Sequence, residues 1–282
     1  MRKLSLHLAL AAHSPWSEDS ADETSSQSRQ EACRLSYCSV VIGLPPECFM
    51  SAFAADLVIL TIRKGELHVL LVVRGIEPFQ NERALPGGFR RQGESIEDAA
   101  IRELGEETGM PDGLVALEQV GVYSASDRDP RGSVVSCAFL AIAPNLPIPV
   151  PAQGSDVKDA GWVPLSKLGG GEALAFDHDR ILRDSVDQAR DKLQYTTIAT
   201  AFCDEEFTIG DLREVYEVVW GVPLDRANFH RKVRNATEFI VPTGRTRSSG
   251  GALGRPAELY RAAGKVSVLA SPILRGSLVA RR

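Results

Sequence analysis

"GFRRQGESIEDAAIRELGEETGM", residues 88–110, decides how this chain is read. From Gly93 onward six acidic side chains, Glu94, Glu97, Asp98, Glu103, Glu106 and Glu107, crowd around Arg102. The intervals run Gly88, five residues, Glu94, seven residues, Arg102-Glu103-Leu104, one residue, Glu106-Glu107, one residue, Gly109-Met110. At about 3.6 residues per turn, Glu103, Glu106 and Glu107 fall within an arc of about 100° on a helix. Like charges that close raise one another's pKa, so the trio calls for a cation. A hard divalent ion, Mg²⁺ or Mn²⁺, suits oxygen ligands and binds through a few carboxylates plus substrate phosphates. Gly87 and Gly88 allow a tight turn before the helix, and Arg102 can pair with a neighbouring acid to hold it in place. A merely solvated charged face would explain the acidity, but not so many fixed intervals with "ALPGG" just upstream.

That string of positions resembles the Nudix hydrolase signature, and every position of it is satisfied here. The resemblance implies a Nudix fold over about residues 52–193 and hydrolysis of a nucleoside diphosphate linked to another moiety. It also implies roles: Glu103, Glu106 and Glu107 bind the metal, Arg102 orients Glu103, and Glu94 adds a ligand or steers water. The metal would neutralise the diphosphate, orient it and activate water. Outside the motif, "SASDRDPRGSVVS" (residues 124–136) puts Arg128 and Arg131 on a loop, and Arg74 ends an earlier strand. Arginine suits phosphate geometry, so Arg74, Arg128 and Arg131, with Gly88, are candidate ligand contacts. For each arginine an exposed loop charge is the alternative. The "DRDPRG" loop resembles that of Nudix proteins that handle ADP-ribose.

Around the motif the pattern is one of strands. "DLVILTIRKGELHVLLVVRG" (residues 56–75) is two apolar, β-branched runs joined at Lys64-Gly65, a hairpin signal. Further strand-like runs are Leu117 to Tyr123, Val134 to Ile142 and Val157 to Trp162. Helices are expected at Ile96 to Thr108 and His178 to Leu193. Strands interleaved with two helices predict an α/β (α+β) domain with a mixed sheet.

From Thr196 the chain becomes mostly helical. "FTIGDLREVYEVVWG" (residues 207–221) spaces Leu212, Val215, Tyr216, Val219 and Trp220 as the apolar stripe of an amphipathic helix. Thr208 and Asp211 form a capping-box pattern, Phe207 can staple to Leu212, and Gly221 and Pro223 end the helix. Asp225 then caps "RANFHRKVRNA", whose Phe229, Val233 and Ala236 share one side while His230, Arg231, Arg234 and Asn235 face away. "TEFIVPTGRTRSSGGALGRPAELYR" (residues 237–261) reads as two short strands around a Gly- and Arg-rich loop. This is a small winged helix-turn-helix pattern, in which the second helix enters the major groove and the wing touches the backbone. His230, Arg231, Arg234 and Asn235 are the candidates for base edges or phosphates; Arg226, Lys232, Arg245 and Arg247 are candidates for backbone contacts. The alternative is a basic helix that is only solvated, or that docks on the acidic domain.

Charge is distributed to match. Residues 1–194 carry 19 basic and 28 acidic side chains, and residues 195–282 carry 13 and 9. Within residues 226–261 eight Arg or Lys face only Glu238 and Glu258, a stripe suited to a polyanion. The Nudix motif followed by "FTIGDLREVYEVVWGVPLDRANFHRKV" resembles the Nudix-related transcriptional regulators of bacterial NAD metabolism, over about residues 52–262. The resemblance implies a homodimer that represses NAD-synthesis or salvage genes from a double-stranded DNA operator. It implies further that ADP-ribose or a related NAD-derived nucleotide is sensed in the Nudix pocket. Many such regulators have a degraded motif, whereas every acid is kept here, so pyrophosphatase activity is expected as well. A housekeeping metal-dependent ADP-ribose pyrophosphatase with a basic accessory domain is the alternative.

The five cysteines, Cys33, Cys38, Cys48, Cys137 and Cys203, match no zinc or disulfide spacing. No apolar run reaches the roughly 18 residues of a membrane helix, so a cytoplasmic protein with reduced thiols is expected. The N-terminus "MRKLSLHLALAAHS" imitates a short signal peptide, but its apolar stretch is broken by His7. Residues 14–32 are polar and rich in Ser, Asp and Glu, so residues 1–49 are expected to be a disordered extension, or one placed upstream of a true start at Met50. The expected organisation is thus a Nudix domain over 50–193, a winged helix over 194–264 and a tail over 265–282.

Overall fold

A computed structural model of the chain describes residues 51–108, 117–144, 146–147, 156–168, 173–236, 238–248 and 256–279. The expected disorder of residues 1–49, the start at Met50, and Gly109 and Met110 of the motif lie outside the described residues.

The strands are β1 (Ala52–Arg63), β2 (Glu66–Arg74), β3 (Arg83–Ala84), β4 (Gly87–Phe89), β5 (Leu117–Tyr123), β6 (Val134–Ile142) and β7 (Val157–Pro164). They form one sheet in the order β3-β2-β1-β6-β5, with β4 added to β1 and β7 to β2. β1 and β6 are parallel and the other pairs antiparallel, so the expected mixed sheet is present. Lys64 and Gly65 turn the β1–β2 hairpin at φ 52° and 74°, the left-handed backbone that such a two-residue turn requires.

β1 is apolar on both faces because both are covered. Its Leu57 and Ile59 pack under helix α1 (Ile96–Thr108), with Ala99, Ala100 and Leu104. Val58 and Leu60 point the other way, to helix α2 (His178–Tyr195), with Ile181, Val186 and Ala189. The period-two alternation of a strand thus divides one continuous apolar run between two cores. α2 and β7 each run two residues beyond their expected ends, and β3 and β4 are too short to leave a sequence pattern.

α2 leads directly into the second half. A 3₁₀ turn (Thr197–Phe202) precedes α3 (Ile209–Trp220), α4 (Arg226–Asn235) and the antiparallel pair β8 (Ile240–Arg247) and β9 (Ala257–Ala262). A short helix, α5 (Arg275–Leu278), follows. α3 begins with the expected capping box, Thr208 accepting from the Asp211 N–H and Asp211 from the Thr208 N–H, and ends on Gly221 at φ 67°. Asp225 caps α4 by accepting the Asn228 N–H at 2.7 Å. Arg245 and Arg247, expected in the wing's loop, lie on β8 itself.

The apolar stripe of α3 does not form a separate core. Tyr216, Val219 and Trp220 join the same buried cluster as Val58, Leu60 and Leu193. The Tyr216 hydroxyl donates to the Leu193 carbonyl at 3.0 Å, and Trp220 Nε1 to the Arg190 carbonyl at 3.1 Å. Residues 51–282 accordingly form one compact unit. No described helix is long and apolar enough to cross a membrane, and Cys137 and Cys203 are free thiols.

Candidate functional site

A cavity of about 510 Å³ opens where α1, β4, the β5–β6 loop and the first turn of α2 meet. Its floor rests on two glycines. A Cβ on Gly88 would lie 2.2 Å from Glu103 Oε1, and one on Gly87 2.3 Å from the Ala55 carbonyl. Side chains there would exclude the carboxylate and the neighbouring strand, so only glycine allows this approach.

Arg102 organises the acids. Its guanidinium donates to Glu94 at 2.9 and 3.2 Å, to Glu103 at 2.6 Å, to Glu106 at 3.2 Å and to the Phe89 carbonyl at 3.1 Å. Glu106 also pairs with Arg91 at 3.1 Å. Glu107 is buried and accepts the Gly87 N–H at 3.2 Å. Burial, and next the charge of Glu103, pushes its pKa up to about 8; burial also raises that of Glu103. Glu94 goes the other way, held down to about 2 by hydrogen bonds from Arg102 and from the Arg91 N–H.

The expected three-carboxylate seat is therefore only partly assembled. Among the described residues no three acidic, His or Cys side chains converge closely enough to hold a metal ion. The physical reason is that Glu106 turns to the two guanidiniums, which relieve its repulsion from Glu103 and Glu107. The donor set still fits a hard divalent cation. Glu103 and Glu107 are oxygen donors pushed toward their neutral forms, and a cation's charge would replace the proton that neutralises them.

The candidate ligand arginines separate into two kinds. Arg128 is not an exposed loop charge: it is 7% exposed, with Asp177 at 2.7 and 3.1 Å and Asp56 at 3.3 Å. It lines the cavity, but its charge is already balanced there by the two carboxylates. Arg74 and Arg131 line the same cavity. Arg131 pairs with Asp129 at 2.7 Å and lies over the Phe89 and Phe176 rings at 4.8 and 5.3 Å. Arg74 lies 4.8 Å over Phe176, and its Nη2 is buried with no hydrogen-bond partner among the described residues. Phe176, at φ 57°, accepts a left-handed backbone that costs a bulky residue about 1–3 kcal/mol, which places its ring between the two guanidiniums.

Several residues of this site escaped the sequence reading. Asp56, 6% exposed, accepts from Ser136 Oγ at 2.5 Å and lies 3.5 Å from His178 Nε2. His178 Nδ1 accepts the Leu85 N–H at 2.9 Å, which assigns the ring proton to Nε2. Burial lowers the pKa of His178, so the ring is neutral. Asp177, at the helix N-cap position, makes no cap bond and turns to Arg128 instead. One signal was available: Asp56 is an acid within an otherwise apolar strand run.

On the other half, the face of α4 divides as expected. Phe229, Val233 and Ala236 are buried, while Arg226, His230, Arg231, Arg234 and Asn235 are exposed. The remaining candidates are engaged internally. Arg245 pairs with Glu206 at 2.9 Å, Arg247 with Asp211 at 2.7 Å, and Lys232 Nζ donates to the Pro272 carbonyl at 3.1 Å. Arg231 donates to Asn228 on its own helix at 2.8 Å.

The chain matches the NUDIX domain family over residues 51–185 and the NrtR DNA-binding winged helix domain over residues 199–262. It is 31% identical over 211 residues, 73% of this chain and 80% of the relative, to the ADPR responsive transcriptional repressor NtrR of Acinetobacter baylyi. The chain belongs to the NrtR family of Nudix-related transcriptional regulators. Its fold is that of Shewanella oneidensis NrtR complexed with a 27mer DNA, with a TM-score of 0.67 and 29% identity over 79% of this chain and 99% of that one. The Nudix part of this NrtR-type chain is also 42% identical over 118 residues to the ADP-ribose pyrophosphatase of Methanocaldococcus jannaschii, covering 41% of the chain and 64% of that relative.

Proposed function

We propose that this NrtR-type repressor binds ADP-ribose or a related NAD-derived nucleotide in the 510 Å³ cavity, and that this binding controls its hold on an operator of NAD-synthesis or salvage genes. One observation carries the reading: a cavity of carboxylates and arginines shares a continuous core with a helix that exposes Arg226, His230, Arg231, Arg234 and Asn235. Arg74 Nη2 and Arg131 are the groups suited to the diphosphate, while Arg128 supports the floor. His230, Arg231, Arg234 and Asn235 are suited to base edges or phosphates, and Arg226 to the backbone. Arg245 and Arg247 can reach a phosphate only by leaving Glu206 and Asp211. We take residues 50–193 as the nucleotide-binding unit and 194–264 as the DNA-binding unit, acting as a cytoplasmic homodimer on a palindromic site.

Retained hydrolysis is part of the proposal, supported by the intact motif and by the likeness to a pyrophosphatase. Glu103 and Glu107, with Glu106 once it leaves Arg91, are the residues to hold Mg²⁺ or Mn²⁺. Such an ion supplies charge neutralisation of the diphosphate and activation of water. Arg102 keeps Glu103 and Glu94 in register, and Gly88 leaves room for the Glu103 carboxylate. Ligand can affect DNA binding only through different affinities for two arrangements of the protein. α2 is suited to connect them, since His178 lies at the cavity and Leu193 is bonded to α3.

The test is an electrophoretic mobility shift on duplex DNA from upstream of neighbouring NAD genes, with and without ADP-ribose and NAD. Specific retardation that falls steeply with salt and changes with ADP-ribose supports the reading. Binding no tighter than to a scrambled duplex would sink it.

A further inference from the structure

Residues 265–279 lie beyond both family matches, and none of the groups assigned above to nucleotide or operator belongs to them. They return across the second half as a strap. Leu269, Ile273 and Leu278, all at most 3% exposed, fix it to the shared core. On one side it is tied to the end of α2: the Leu269 and Ile273 N–H groups donate to the Tyr195 and Gln194 carbonyls, both at 2.8 Å, and the Thr197 N–H to the Ser267 carbonyl at 2.9 Å. On the other side it is tied to the helix-turn-helix. The Asp225 N–H donates to the Leu278 carbonyl at 2.8 Å, Leu224 and Val279 form a β-bridge, and Arg275 Nη2 donates to the Trp220 carbonyl at 2.8 Å. Lys232 Nζ reaches the Pro272 carbonyl from the far half of α4.

α4 needs such ties. It has ten residues, of which Phe229 and Val233 are buried, and a helix that short is marginal on its own. The strap holds Asp225, the residue that caps α4, by its backbone, and Lys232 by its ammonium, so both halves of the helix are referred to α2. We propose that residues 265–279 are a brace that sets α4 on α2 for DNA reading, with Lys232 and Arg275 as positioning residues of that brace. Lys232 thereby leaves the set of backbone contacts expected from sequence. The inference rests on the DNA-reading assignment of α4, and one of its tests is independent of it.

The experiment compares the full chain with a chain ending at Gly264 and with the double substitution Lys232→Met, Arg275→Ala. Three quantities are read: ADP-ribose affinity by calorimetry, hydrogen exchange of α4 amides, and affinity for a labelled upstream duplex as a function of salt. The expected result is faster exchange in α4, a loss of about tenfold or more in DNA affinity, and ADP-ribose affinity within about twofold of the full chain. A lysine on a phosphate would lower the salt slope by about 1 when removed, whereas a brace lysine leaves the slope unchanged. A slope lowered by that amount in the double substitution, or unaltered exchange and DNA affinity in both variants, overturns the proposal. If the shortened chain does not fold, the double substitution decides. If the full chain binds no duplex, the DNA reading fails, and exchange in α4 still decides for or against the brace.

Discussion

The arginines of the nucleotide cavity and those of α4 are the same side chain in opposite circumstances. Arg102, Arg128 and Arg131 each touch at least one carboxylate, and Arg128 touches two while nearly removed from solvent. Arg226, Arg231 and Arg234 stand exposed on a helix whose first turn holds no acid. A buried guanidinium must be neutralised where it stands, because an isolated charge in a low-dielectric site costs several kcal/mol. An exposed one is solvated at little cost and stays available to an external polyanion. The charges of Arg102 and Arg128 therefore hold a shape, and those of α4 wait for a partner.

The largest effect expected from breaking this contrast is at Arg128. Arg128→Met leaves Asp56 and Asp177 facing each other without a cation and is expected to destabilise the protein by about 3–5 kcal/mol. Chemical denaturation measures it; a loss below about 1 kcal/mol would show that the trio is solvated and not structural.

Next comes Glu107→Gln, expected to reduce metal-dependent release of AMP from ADP-ribose by roughly a thousandfold. Because the Glu107 carboxyl is pushed up to about 8, it is already neutral at pH 7 without a cation, so the amide should leave the metal-free melting temperature nearly unchanged. Full activity of this variant excludes Glu107 from the site.

Removing exposed charge should act on binding alone. Arg231→Ala with Arg234→Ala is expected to weaken operator binding by about a hundredfold and to lower the salt slope by about two, with hydrolysis and stability intact. An unchanged slope would detach α4 from the DNA.

The smallest effect concerns pH. His178 is buried neutral, its pKa lowered chiefly by burial, so the unfolded chain takes up a proton first as pH falls. Its contribution is complete above its ordinary value of about 6.5 and is lost below that, at no more than about 1.4 kcal/mol per pH unit. His178→Asn, whose amide oxygen can still accept the Leu85 N–H, should flatten the acid limb of a stability profile. Identical limbs in the two proteins would remove His178 from the linkage.

Local chemistry was legible in the sequence wherever its partners lie nearby. The α1 motif, the Lys64-Gly65 turn, the Thr208–Asp211 capping box and the two faces of α4 depend on intervals of a few residues, which fixed helical and strand periods translate directly into space. What escaped depends on long closures. Asp56, Arg128, Asp177 and His178 meet only because β1, the β5–β6 loop and α2 converge, and no spacing records that. The same holds for Lys232, which reads as one more basic residue of a basic helix until Pro272 is brought beside it.

The undivided hydrophobic core from Val58 to Leu278 has a thermodynamic consequence. A chain whose two functional halves share buried side chains should melt in one calorimetric transition, so stabilisation at either end is felt by the whole. A nucleotide bound in the cavity raises the unfolding temperature of α4 together with that of β1, by an amount that grows with RT ln(1 + [L]/Kd). A thermal-shift screen of nucleotides against the full chain is thus a way to find its effector before any operator is known.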